Sequence, residues 1–103
     1  MSSDLRSLAD VNRLIHEPSR SVILAILGVV ESADFLYLQH ETGLTKGNLS
    51  VHLSKLEVAG YIKIEKTYRD KIPLTLCRMT EAGRKAFDNY RNQLKLFVEN
   101  TKE

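Results

Sequence analysis

A chain of 103 residues, 43% hydrophobic and 27% charged, has the size and composition of one domain with a single modest core. No apolar run nears the roughly 20 residues of a membrane span, Cys77 stands alone and so excludes an internal disulfide, and Met1-Ser2-Ser3-Asp4 lacks the basic-then-apolar pattern of a secretory signal. A cytoplasmic location is expected. The net charge of +2 is unevenly spread: residues 1–44 carry three Arg against six carboxylates, whereas residues 45–71 carry six cations against three. A basic excess that begins at Thr45 is the kind expected for a face that meets a polyanion.

Leu5, Leu8, Val11, Leu14 and Ile15 step by three and four residues and predict an amphipathic first helix over about residues 4–16. His16-Glu17-Pro18-Ser19 interrupts it, and Pro18 suits the first turn of the next helix, where its missing N–H costs nothing. That second helix, about Ser19 to Val30, is apolar on most faces and is expected in the core. Glu31–Asp34 is a polar link with room for a very short strand at Ala33–Phe35, and a third helix follows over Phe35–Thr42. Gly43 is placed to end it in a left-handed conformation, Leu44 plugs the turn, and Thr45 is a good N-cap for a fourth helix that Gly60 closes. From Ile62 the period changes to two, giving strands at Ile62–Lys66 and Leu74–Met79 around a polar, basic loop over residues 67–73. Thr80 caps a final helix over about 81–101. No repeat or linker divides the chain, so residues 1–103 are expected to form one domain.

Within the fourth helix, about residues 45–59, Leu49, Leu53 and Leu56 share one face. The outward half carries Gly47, Asn48, Ser50, Val51, Ser54 and Lys55, with no acidic side chain before Glu57. A solvated helix usually mixes Glu with Lys, because opposite charges at i, i+4 support it. A helix lying in a DNA groove instead needs small hydrogen-bonding side chains and a few cations, and no carboxylate turned to the phosphates. Helix, short Gly-containing turn and helix make a helix-turn-helix, and the basic hairpin after it completes a winged helix.

The run Leu49-Ser50-Val51-His52-Leu53-Ser54-Lys55-Leu56-Glu57-Val58-Ala59-Gly60-Tyr61-Ile62 closely resembles the pattern of MarR/ArsR-type winged-helix transcriptional regulators, in the short single-domain form found in archaea and bacteria. Met79-Thr80-Glu81-Ala82-Gly83 and His16-Glu17-Pro18-Ser19-Arg20 resemble the same family, so the likeness covers roughly residues 14–90. The resemblance implies a mainly α fold with a small β-hairpin, N- and C-terminal helices extending the winged helix, and a homodimer on a pseudo-palindromic site in double-stranded DNA. It places Thr45, Lys46, Asn48, Ser50, Val51, Ser54 and Lys55 at the major groove and Lys66, Tyr68, Arg69 and Lys71 at the wing. Asp70 beside Arg69 departs from a purely basic tip. The paired cysteines of metal-sensing ArsR proteins are absent from this sequence, so no thiolate metal site, and no cofactor, is expected.

His52 lies at the boundary of the buried face, about 70° from the apolar centre, where it can reach a phosphate or hydrogen-bond internally. His16 and His40 have no ligand spacing. Cys77 is expected to face the core. Along the last helix Ala86, Phe87, Tyr90, Leu94, Phe97 and Val98 form a stripe longer than a small core needs. With Leu5 and Leu8 of the first helix, residues Phe87, Tyr90, Leu94, Phe97 and Val98 are expected at a two-fold interface. No phosphate loop, metalloprotease motif or nucleophile–base pair supports catalysis. The sequence thus predicts a non-enzymatic, DNA-binding regulator, most simply a repressor, with no membrane contact and no identified small-molecule effector. A winged helix serving as a protein-interaction module is the alternative, and an RNA-binding role ranks low because few aromatic residues lie near the basic face.

Overall fold

Pro18 occupies the first turn of α1 (Pro18–Leu27), and Glu17 caps that helix by accepting from the Arg20 N–H at 2.8 Å. The computed structural model describes Arg6 and residues 8–101. In chain order the elements are α1, β1 (Ala33–Asp34), α2 (Phe35–Thr42), α3 (Lys46–Val58), β2 (Ile62–Arg69), β3 (Ile72–Met79) and α4 (Glu81–Asn100). The strands form an antiparallel sheet in the order β1-β3-β2.

The expected helix–turn–helix forms as its capping residues direct. Asp34 caps α2, Gly43 ends it at φ 70°, and Thr45 caps α3 by accepting from the Asn48 N–H at 3.1 Å. Leu49, Leu53 and Leu56 of α3 pack on Ile23, Leu24 and Leu27 of α1, with Ile15, Leu38, Ile62, Cys77 and Tyr90 completing the core. Each leucine buried there contributes about 1.5–3 kcal/mol.

Three expectations are corrected. Helical backbone near the N-terminus gives way to a turn at Asp10 rather than continuing to residue 16. Asn12 provides the reason: its side-chain oxygen accepts from the Leu14 and Ile15 N–H groups, offering the backbone an alternative to helix. The second helix is not wholly in the core, since Val22 and Ala25 of α1, and Val29 beyond it, are exposed. The residue 67–73 segment is not a loop. β2 and β3 pair without interruption as far as Arg69↔Ile72, joined by a two-residue turn in which Asp70 and Lys71 both take positive φ (51° and 68°). Positive φ at both central residues is the signature of a type I′ turn, whose twist matches that of the flanking strands. Pro73 is tolerated because β1 reaches only Leu76 and Cys77, leaving β3 without an outer neighbour at Pro73.

The hairpin base is tied to α4 through Thr80. Its N–H donates to the Tyr61 carbonyl at 3.0 Å and its hydroxyl to the Gly60 carbonyl at 2.6 Å, while the same hydroxyl oxygen caps α4 by accepting from Gly83 N–H. A Cβ at Gly83 would run into the Tyr61 carbonyl, so only glycine fits there. Gly83→Ala is therefore expected to destabilise the domain by about 1–3 kcal/mol. Gly47→Ala, at an exposed helical site with nothing within 4 Å, should stabilise it by about 0.5–1 kcal/mol. Urea denaturation midpoints of the two variants check this opposition of sign.

Candidate nucleic-acid interface

Burial of the leucine stripe turns the remaining surface of α3 outward. Thr45, Lys46, Gly47, Asn48, Ser50, Val51, Ser54 and Lys55 are all exposed, with Val51 at 52%. Glu57 follows the helical period onto the side of Lys46 and Ser50, and these three residues line an open cleft of about 560 Å³ against the hairpin. Ser54 and Lys66 line it too. The exposed polar surface of α3 thus has two parts. Lys46, Ser50 and Ser54 look across the cleft to Lys66, whereas Asn48, Val51 and Lys55 face away from it.

Register sorts the wing residues in the same way. Opposed residues of antiparallel strands share a face, so Lys66↔Thr75 and Tyr68↔Pro73 continue the face that begins with the buried residues Ile62 and Cys77. Arg69↔Ile72 lies on the reverse face, and Lys71 is in the turn. Lys66, Tyr68, Arg69 and Lys71 are all exposed, Tyr68 at 73%. The structure therefore brings Lys66 and Tyr68 to the side of α3 and sets Arg69 on the other side of the ribbon.

His52 is held differently from its neighbours on α3. Its side chain is 19% exposed, and its Nδ1 lies 3.0 Å from Nη1 of Arg20 and 3.7 Å from Oε2 of Glu17. Arg20 is a buried charged residue whose Nε donates to the Leu14 carbonyl. The sequence offered a signal for it: Arg20 falls at i−3, i−4 and i−7 from Ile23, Leu24 and Leu27, a charge in register with a core stripe. Burial pushes the Glu17 carboxyl up, but backbone N–H bonds from Arg20 and Ser19 and the nearby charge of Arg20 outweigh it and leave the group below its ordinary value.

The helical and hairpin elements, the acid-poor face of α3 and the basic strands next to it match one known family. The winged helix DNA-binding domain family covers residues 20–98. The chain belongs to that family. This winged helix is 37% identical over 78 residues to an uncharacterized protein of Methanocaldococcus jannaschii, an alignment that spans 76% of this chain and 85% of the relative. Its fold superposes with a TM-score of 0.89 and 25% identity on the transcriptional regulator homologue protein from Pyrococcus horikoshii OT3, covering 99% of this chain and all of that one. The family is one of DNA-binding domains, not of enzymes.

The residues expected at a two-fold interface separate in the winged helix. Tyr90 is a correction: at 6% exposure it is a core residue, its hydroxyl 2.9 Å from Nδ1 of His16 and within reach of the Ser21 hydroxyl. Phe87 and Leu94 are half-buried against the same core, and Leu8 is half-buried. Phe97 and Val98 stay exposed at 37% and 64%. Leu5 lies outside the described residues. Val22, Ala25 and Val29 form with Phe87 and Leu94 an apolar groove of about 520 Å³ between α1 and α4.

Cys77 is fully buried, and burial, with the charges of Glu57 and Asp34, pushes its thiol up to about 11. It is therefore held as an unreactive thiol at neutral pH. No helix among the described residues is long and apolar enough to cross a membrane, and those residues hold no cluster suited to a metal ion.

The lowered Glu17 value sets a direction for acid stability. A carboxylate depressed in the folded state contributes stability above its unfolded value, and that contribution is lost as pH falls through the folded value. Glu17→Gln should cost about 1 kcal/mol at neutral pH. The gap to wild type should close as pH drops below the ordinary value of 4.5, as followed by thermal unfolding across a pH series.

Proposed function

We propose that this protein is a sequence-specific, homodimeric transcriptional regulator of the MarR/ArsR type, acting as a repressor in the cytoplasm. The observation that carries this reading is the outer surface of α3. Gly47, Asn48, Val51 and Lys55 are exposed together and include no carboxylate, Glu57 lying on the cleft side, on an element whose family binds DNA. The Pyrococcus horikoshii neighbour, a transcriptional regulator homologue, supports the regulatory role.

In this reading α3 enters the major groove. Asn48 and Ser50 read base edges, and Val51 offers an apolar contact for a thymine methyl. Lys46 and Lys55 neutralise phosphates, and Thr45 is mainly a cap. Lys66 and Tyr68 meet the backbone beside the groove, while Arg69 and Lys71 at the ribbon tip reach the next phosphates or the minor groove. Each cation that pairs with a phosphate releases counterions, so affinity falls with salt. Repression follows from occupancy of the site.

A two-fold partner is supported by the exposed end of α4 and the apolar groove beside it. Tyr90, a core residue, lines the groove only from beneath, so the interface is assigned chiefly to Phe97, Val98 and Leu94 with Phe87 in the groove, and Leu8 and, by its sequence pattern, Leu5 are assigned to it as well. In a homodimer the two α3 helices then address half-sites about one helical turn apart. Residues 1–103 act as one domain. No residue set identifies an effector.

Two experiments test this. Selection from a randomised duplex library should enrich an inverted repeat; Arg69→Ala should weaken binding to every sequence and reduce the salt slope by about one, while Asn48→Ala should relax one base position at a cost of about 1–3 kcal/mol. Absence of any enriched sequence would place the protein-interaction module first. Phe97→Asp combined with Val98→Asp should halve the mass measured by light scattering without unfolding the domain, whereas Tyr90→Phe should leave the mass unchanged.

A further inference from the structure

We infer that His52 is a neutral phosphate anchor whose tautomer is set by Arg20, a positioning residue that does not itself touch DNA. The inference rests on the DNA-binding reading above and adds a defined donor and the device that aims it.

The geometry leaves one assignment of the ring proton. A guanidinium has donors and no acceptor and keeps its charge at any physiological pH. Arg20 Nη1, 3.0 Å from His52 Nδ1, must therefore donate, and Nδ1 must accept. The ring proton then sits on Nε2, which has no hydrogen-bond partner among the described residues. Nδ1 and Nε2 lie on opposite sides of an imidazole, so a ring with Nδ1 turned in towards α1 points Nε2–H away from it. His52 stands one helical turn after Asn48 and three residues before Lys55, both exposed. Its outward N–H thus joins the row Asn48–His52–Lys55 on the flank of α3, where a groove-bound helix runs beside a phosphate backbone.

Burial of Arg20 is costly unless its donors find acceptors. A charge removed from water needs partners of good geometry, yet its carboxylate neighbour Glu17 lies 3.8 Å from Nη1 and spends Oε2 on the Arg20 N–H at 2.8 Å as the α1 cap. Arg20 and Glu17 are the charged groups that face His52 from α1 and its cap. The guanidinium is committed to the Leu14 carbonyl and to the His52 ring. It links the start of α1 to the DNA-facing helix.

Amide surrogates separate the two ring nitrogens, since an Asn oxygen can stand near the place of Nδ1 and a Gln nitrogen near that of Nε2. In fluorescence anisotropy with the selected duplex, H52N keeps an acceptor for Arg20, loses the outward donor, and should bind every sequence about tenfold more weakly with an unchanged salt slope. H52Q keeps the donor and should stay within about threefold of wild type, while its urea midpoint falls because Arg20 loses its acceptor. Nitrogen NMR of the intact chain should show the Nε2–H form of His52, shifting towards a tautomer mixture in R20M. H52N binding as tightly as wild type, H52Q losing as much as H52N, or an Nδ1–H ring would each overturn the assignment. An affinity that climbs as pH falls, lost in H52N, would replace the neutral donor by a cation. Wild-type protein that retains no duplex would instead overturn the DNA-binding reading itself, and the NMR tautomer would still report what Arg20 does to the ring.

Discussion

One apolar stripe organises the molecule. Leu49, Leu53 and Leu56 can be buried only if α3 lies with that face on Ile23, Leu24 and Leu27, and an α-helix buried along a stripe of this width must present the opposite side to water. The exposed surface that meets DNA in the proposed function is thus a consequence of packing. Its chemistry, short polar side chains and two lysines with Glu57 only at the cleft edge, is free to vary because none of it supports the core.

Packing of leucines alone leaves α3 free to roll by small angles on α1, since dispersion contacts are individually weak and tolerant of sliding. Directional bonds remove that freedom. Arg20 supplies one between the two helices through His52, and Thr80 supplies others between the end of the α3–β2 turn and α4. The hairpin is oriented from its base in this way, and its twist is continued to the tip by the Asp70-Lys71 turn. In the proposed function, a helix and a hairpin held at defined angles suit a rigid site on DNA better than two elements on flexible joints.

The last helix serves two environments along its length. Its first half belongs to the domain, with Gly83 against Tyr61 and Tyr90 in the core. Its second half carries Phe97 and Val98 into solvent. The same amphipathic pattern runs through both, so periodicity alone assigns Tyr90 and Phe97 to one surface. What separates them is the His16–Ser21–Tyr90 contact, made by residues that are 74 and 69 positions apart in the chain.

The sequence by itself determined the parts of this protein that depend on neighbours a few residues away. The caps Asp34, Thr45 and Thr80, the left-handed Gly43, the leucine spacing of α3 and the alternation of the hairpin strands act within one or two turns, and α2, α3 and α4 begin where these signals place them. Local chemistry also explains two of the departures. Asn12 competes for backbone N–H groups, and the I′ turn at Asp70-Lys71 is hidden by a residue pair that lacks glycine. Only the tertiary structure decided that Tyr90 enters the core and that Arg20 is buried against His52. Each depends on a contact between segments distant in sequence, 32 residues in the case of Arg20 and His52. Hydrogen-bond geometry at that range is fixed by how the helices pack, and no periodicity in the chain encodes it.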